Sequence, residues 1–225
     1  MAALGMLTVG CGGSDTSEND AKPSADSTAT QDAKQNDDSA SQVEGEQLPV
    51  KLEGPVADLI TTMPTVSPSP DRSATTTEKV LYELQRRTLR MAGITGETSG
   101  ECDGGELVMK AGATTACTIT YESVKVPWEV TISDSYKPGS IIFSYEAKPL
   151  KGVVTAQGVY GAFWKQQNSY SEDLRCSEVP KAELVELDQA TAYKCQYLIK
   201  DSSGNRWSDR SVKVSERGVQ FSPVR

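Results

Sequence analysis

Two cysteine-centred stretches determine the fold that the sequence predicts. Residues 112–117 read Gly-Ala-Thr-Thr-Ala-Cys, and residues 190–195 read Ala-Thr-Ala-Tyr-Lys-Cys. Another cysteine precedes each stretch, Cys102 by 15 residues and Cys176 by 19 residues from cysteine to cysteine. Because the same order of features occurs twice, we interpret the two stretches as corresponding parts of a duplicated unit.

Residues after these stretches support the duplication. Trp128 follows the first cysteine by 11 residues, and Trp207 follows the second by 12. The Phe-Ser pairs within Ile141–Ser144 and Val219–Ser222 both begin 26 residues after their cysteine. We therefore predict a tandem repeat with the two tryptophans at matching core positions, although an exposed tryptophan could also stack on a sugar ring.

Each half also predicts a helix followed by strands. Thr75 and Glu78 have the spacing of a capping box, and Gly93 is a typical helix stop. Thr155 is expected to cap the second helix. Alternating apolar residues predict the following strands, in chain order: Thr118–Val124, Trp128–Ile132, Gln196–Ile199, Ser211–Val214 and Gly218–Phe221.

The expected fold class is therefore α+β, with two tandem helix-plus-antiparallel-sheet units after a long disordered N-terminal segment. The first repeat is placed at residues 77–148 and the second at 149–225. Units of this size have small cores, so each gains from a staple such as a disulfide.

The four cysteines of the repeats suit two disulfides in an oxidising compartment. Of the three possible pairings, the repeat favours Cys102 with Cys117 and Cys176 with Cys195. A zinc site is the alternative use of four cysteines, but these spacings do not resemble the closely spaced pairs of zinc motifs. No metal and no cofactor is therefore expected.

The net charge of −8 is concentrated in one segment. Residues 12–76 contain twelve acidic and four basic side chains, whereas residues 77–225 contain nineteen of each. The acidic segment is rich in Ser, Thr, Asp and Pro, which favours a disordered tether. A short ordered part at Val50–Met63, where apolar residues interrupt the polar tract, is the alternative. A chain with this charge is not expected to bind nucleic acid.

The N-terminal residues 1–11 resemble the end of a bacterial lipoprotein signal peptide. The uncharged run ends in Leu7-Thr8-Val9-Gly10-Cys11, and the polar tract begins directly after it. Thr8 is atypical of a lipobox, and no basic residue precedes the run. We expect lipid, including palmitate, on Cys11 and a location on the extracytoplasmic face of the cell membrane. The alternative is an apolar stub with an incidental free cysteine.

The order of helix, cysteine, Gly-Ala-Thr-x-x-Cys and alternating strands resembles a small domain of unknown function found in actinobacterial (Streptomyces-type) lipoproteins. The resemblance covers residues 76–146 best, and residues 188–191 depart from its Gly-Ala-Thr start. In architecture alone, the chain is also similar to secreted beta-lactamase inhibitory proteins. Neither resemblance supplies a catalytic residue.

The sequence contains no nucleotide-binding, hydrolase, zinc-protease or calcium-binding motif. We therefore expect a non-catalytic binding or inhibitory module whose partner is an envelope protein or a cell-wall component. The possible binding surface is the densest aromatic patch, Tyr160, Phe163, Trp164 and Tyr170. The alternatives are an envelope hydrolase with a noncanonical site and a structural or surface protein.

Overall fold

The computed structural model describes residues 43–140 and 142–224. The predicted lipid-attachment site Cys11 and the first part of the predicted tether, residues 12–42, lie outside these residues. The described residues belong to one compact unit. They are α+β with mostly antiparallel sheets, which confirms the α+β part of the predicted fold class.

Within the described residues, helices α1 and α2 span Thr76–Ala92 and Ala156–Gln167. The strands, in chain order, are β1 Val43–Glu44, β2 Val50–Lys51, β3 Thr98–Cys102, β4 Thr114–Tyr121, β5 Val124–Ile132, β6 Tyr145–Pro149, β7 Gly152–Val154, β8 Leu174–Cys176, β9 Glu183–Val185, β10 Ala190–Asp201, β11 Gly204–Ser215 and β12 Gly218–Pro223.

Helix α1 begins and ends where the sequence predicts. The Thr75 side chain accepts a hydrogen bond from the Glu78 amide, and the Glu78 carboxylate accepts one from the Thr75 amide, which completes the capping box. Gly93 ends the helix with a φ of 75°, a conformation that glycine adopts without steric cost. The buried face includes Leu84 and Met91, which pack in the core.

The first large sheet is a four-stranded antiparallel meander in the order β3-β4-β5-β6. One of its faces packs against α1. Trp128 on β5 is completely buried there and donates its indole N–H to the Thr88 hydroxyl of α1 at 3.2 Å.

The second large sheet has six strands. Its main order is β1-β11-β10-β8-β2, and β12 pairs with β11 on the same side as β1. Helix α2 packs on one face, where Phe163 meets Phe221 of β12 with ring centroids 4.9 Å apart. Strands β7 and β9 form a separate two-stranded sheet.

The C-terminal end of α1 contacts the N-terminal end of α2. The Thr155 hydroxyl, which caps α2, donates to the Ala92 carbonyl at the end of α1 at 2.8 Å. Gly158 lies so close to this carbonyl that an added Cβ would sit 2.0 Å from its oxygen. A residue with a side chain would therefore force the two helix ends apart.

The predicted tether of residues 12–76 is too long, because residues 43–75 pack on the rest of the fold. Leu52 is buried, and its amide donates to the Leu174 carbonyl at 2.8 Å. Val56 and Leu59 pack on Gly161 of α2. Ile60 donates its amide to the Gly93 carbonyl at 2.9 Å. The apolar residues of Val50–Met63, treated above as the alternative, account for this docking.

Two of the residue matches that suggested the duplication are wrong in detail. Cys117 lies opposite Trp128 in the β4–β5 ladder, so both side chains occupy one face of the sheet. Trp207 lies opposite Leu198, three residues after Cys195, so it occupies the face opposite that cysteine. Phe143 precedes β6, whereas Phe221 lies within β12.

Candidate binding surfaces

The structure confirms the predicted disulfides. Cys102 pairs with Cys117 and Cys176 with Cys195, each joining register partners on adjacent antiparallel strands. All four cysteines are buried. Each bridge therefore lies within one sheet, between β3 and β4 or between β8 and β10.

The predicted aromatic patch does not form one surface. Phe163 is completely buried and belongs to the core. The Tyr160 hydroxyl donates to the Ser177 carbonyl at 3.1 Å and accepts from the Val179 amide at 3.0 Å. Trp164 is half-buried against the core, and only Tyr170 is largely exposed, at 78%. The face of α2 that points into the core explains most of the aromatic density.

Titratable groups with shifted pKa values occupy structural positions. Hydrogen bonds from Ser203 and Arg206 lower the pKa of Asp201 in the β10–β11 turn to about 2. Burial, together with a hydrogen bond to the Glu183 carboxylate, raises the pKa of Tyr193 to about 12. No cluster of at least three His, Cys, Asp or Glu residues within 43–140 and 142–224 could hold a metal ion.

Two arginines of α1 hold other segments rather than facing solvent. Arg86 donates to the Pro64 carbonyl at 2.7 Å and so fixes the chain around residue 64 on α1. Arg87 stacks on Trp128, with its guanidinium carbon 4.7 Å from the ring centroid. It also bonds to the Ala147 carbonyl and to Glu216 in the β11–β12 turn. Arg87 therefore connects α1 to both large sheets.

Residues 43–52, which we call the N-terminal strap, cross the face of the second sheet opposite α2. Strand β1 pairs in parallel with β11 at one edge, and β2 pairs with β8 at the other. Between them, the strap crosses β10 at the completely buried Gln196. The Gln196 amide donates to the Glu46 carbonyl at 2.9 Å and accepts from the Leu48 amide at 2.7 Å. One side chain thus holds the strap backbone through both of its polar atoms.

The strap also covers Trp207. An added Cβ at Gly45 would lie 3.7 Å from the Trp207 ring, and the Arg175 guanidinium carbon lies 5.8 Å from the ring centroid. The Trp207 indole N–H is buried and has no hydrogen-bond partner among the described residues. A tryptophan on this face is therefore shielded by the strap instead of by a helix.

A cavity of about 410 Å³ opens where residues 59–61, α2 and the β11–β12 turn meet. We call it the basic cavity. Its apolar lining comes from Leu59, Ile60, Ala162 and Val219, and its charged lining from Lys165 and Arg217. No acidic residue among those described lines it. This combination suits a ligand that is both apolar and negatively charged.

A neighbouring cleft of about 720 Å³ shares Arg217 with the basic cavity but has a different character. Its lining mixes the basic Arg87 and Arg90 with the acidic Asp188 and Glu216. Because both signs of charge are present, this cleft shows no preference for anions.

The sequence did not predict roles for Gln196, Lys165 or Arg217. Gln196 directly follows Cys195 and so falls on the opposite face of the strand, where a polar residue is expected to face solvent. Lys165 and Arg217 belong to distant parts of the chain, and only the packing of α2 against the β11–β12 turn brings them to one cavity.

Among residues 43–140 and 142–224, no helix is both long and apolar enough to cross a membrane. Comparison with known protein families, curated proteins and solved structures finds no match to this chain.

Proposed function

We propose that the chain is an exported lipoprotein, attached to the cell membrane through lipid on Cys11, that presents a non-catalytic binding module in the cell envelope. The observation that carries this proposal is the pair of buried disulfides, Cys102–Cys117 and Cys176–Cys195. Such bonds form and persist in oxidising compartments, whereas the cytosol keeps thiols reduced. Cys11 is then the fifth cysteine, left over for the lipid.

The entry of the chain into the fold supports the same proposal. The strap already belongs to the fold, so residues 12–42 would form the connection between the lipid and the module. The strap is held at both edges of the second sheet and by Gln196 between them.

We also propose that the module arose by duplication. Each helix is followed by four strands that lie side by side, β3-β4-β5-β6 after α1 and β8-β10-β11-β12 after α2. In both series the disulfide joins the first strand to the second. Among the described residues, strands β1 and β2 of the strap and the β7–β9 pair lie outside these two series.

Detergent partitioning tests the anchor. The chain is extended before Met1 so that residues 1–10 form the end of a complete lipoprotein signal peptide, and it is expressed in an actinobacterial host beside Cys11→Ala and the control Ser14→Ala. We expect the parent and Ser14→Ala to enter the detergent phase and Cys11→Ala to remain in the aqueous phase. Equal partitioning of all three chains would contradict lipid attachment at Cys11.

A further inference from the structure

The basic cavity has the features of a ligand site that the sequence did not indicate. Its volume of about 410 Å³ is within the range of pockets that hold small molecules. We propose that it binds a small anionic amphiphile, a carboxylate or phosphate head on an apolar body.

The apolar part of the ligand would lie between three elements. Leu59 and Ile60 form one wall, Ala162 of α2 forms the second, and Val219 of β12 forms the third. These side chains are only partly buried, so a hydrocarbon group in the cavity would remove apolar surface from water.

The head group would lie at the two cations. Lys165 on α2 and Arg217 on the β11–β12 turn are both exposed, and neither side chain forms a hydrogen bond or ion pair with any of the described residues. An Arg guanidinium can bind both oxygens of a carboxylate or phosphate, while a Lys ammonium adds a point charge. Because residues 77–225 are neutral as a whole, this preference for anions is local to the cavity.

Ligand binding would also stabilise the packing of residues 59–60 on the two helices. The wall at Leu59 and Ile60 is fixed to the helices by the hydrogen bond from the Ile60 amide to the Gly93 carbonyl and by packing on Gly161. A ligand that contacts this wall and α2 together would lower the frequency of local opening. Slower amide exchange at Ile60 is therefore a signature of occupation that a surface-bound additive would not give.

This inference rests on the proposed function insofar as it names a ligand class for the binding module. The two are tested separately, because the cavity can be studied in the full chain carrying Cys11→Ala, which holds no lipid. A chain that binds the ligand but takes no lipid would contradict only the anchor.

The experiment is calorimetric titration of that full chain with four probes. Decanoate and decyl phosphate combine an apolar body with an anionic head. Decyltrimethylammonium keeps the body and reverses the charge, and acetate keeps a carboxylate without the body. We expect binding of one or both anionic amphiphiles and none of the other two, and the stronger of the two identifies the head group. Binding of the cationic probe with equal affinity, or of no probe, would overturn the proposal.

Variants assign the binding to the cavity. Replacing both cations, Lys165→Ala with Arg217→Ala, should weaken binding by about tenfold or more, since charge-assisted hydrogen bonds are lost. Ala162→Phe should block the apolar part. The matched control replaces two exposed lysines elsewhere, Lys110→Ala with Lys200→Ala, and should bind as the parent does. An unchanged affinity in both cavity variants would contradict the site.

Discussion

The two large sheets each place a tryptophan beside a disulfide-bearing strand, but different elements cover the two side chains. In the four-stranded sheet, Trp128 faces α1 and is completely buried. In the six-stranded sheet, Trp207 lies on the face opposite α2 and is covered by the strap. The difference in face arises from the one additional residue between cysteine and tryptophan in the second sheet, because strand side chains alternate between faces.

The comparison shows that the strap is a structural part of the second sheet. A helix covers its face with many apolar contacts, whereas the strap relies on two-residue strands and on backbone hydrogen bonds to Gln196. Regions held by few contacts open at lower free energy than the core. We therefore expect the strap to open before either large sheet unfolds.

The largest expected effect comes from removing the two tryptophans in turn. Trp128→Ala should lower the free energy of unfolding by about 3–5 kcal/mol, because it leaves a cavity and removes the bond to Thr88. Trp207→Ala should cost less, since its ring is only partly buried. Urea unfolding measures both. A larger loss of unfolding free energy for Trp207→Ala than for Trp128→Ala would contradict the view that the helix-covered tryptophan contributes more to stability.

Removal of one disulfide at a time should affect the two sheets alike. The bridged segments differ little in length, with separations of 15 and 19 residues. The chain-entropy model then assigns each bridge about 3 kcal/mol. Paired replacements, Cys102→Ser with Cys117→Ser and Cys176→Ser with Cys195→Ser, are compared by thermal unfolding. A loss confined to one pair would show that the sheets are not stabilised equally.

Gln196→Ala tests the strap itself. It removes both hydrogen bonds to the strap backbone, which should destabilise the strap by about 1–3 kcal/mol. Amide exchange at Leu48 should accelerate, while exchange within β4 and β5 stays unchanged. Gln189→Ala, which changes an exposed glutamine, is the control. Unchanged exchange at Leu48 would mean that the strap does not depend on Gln196.

The smallest expected effect concerns Asp201 in the turn between β10 and β11. The pKa of Asp201 is lowered from 3.8 to about 2 by Ser203 and Arg206, so the carboxylate favours the folded state. This contribution is complete above the unfolded pKa and is lost as the pH falls through about 2. Carboxyl NMR titration measures the pKa directly, and Asp201→Asn should remove the pH dependence in this turn. An ordinary pKa for Asp201 would contradict the hydrogen bonds.

Local signals predicted the parts of the fold that depend on neighbouring residues. Thr75, Glu78 and Gly93 act within one or two helical turns, so the ends of α1 could be predicted from the sequence. The strap could not, because its two-residue strands gain their stability from β8 and β11, more than 100 residues away. Residues 43–51 mix polar and apolar side chains without regular alternation, so no local pattern indicated this long-range pairing.

In the candidate sites, too, features that depend on residues close in sequence were predicted, and features that depend on long-range packing were not. The disulfide partners are close in sequence and were predicted, as each pair lies on adjacent strands. The predicted aromatic surface was wrong for Phe163, because the core-facing stripe of a helix cannot also be a surface. The basic cavity combines residues 59–60, 165 and 217, which no local pattern connects.

Intact mass after thiol alkylation without reduction tests export and lipid attachment at Cys11 in one measurement. The protein is taken from the membrane fraction of the expressing host and alkylated under denaturing conditions. We expect a chain that begins at Cys11, carries the mass of attached lipid and takes up no alkylating reagent, because the other four cysteines form two disulfides. A chain without lipid that is alkylated at Cys11 and at the four other cysteines would contradict both export and anchoring.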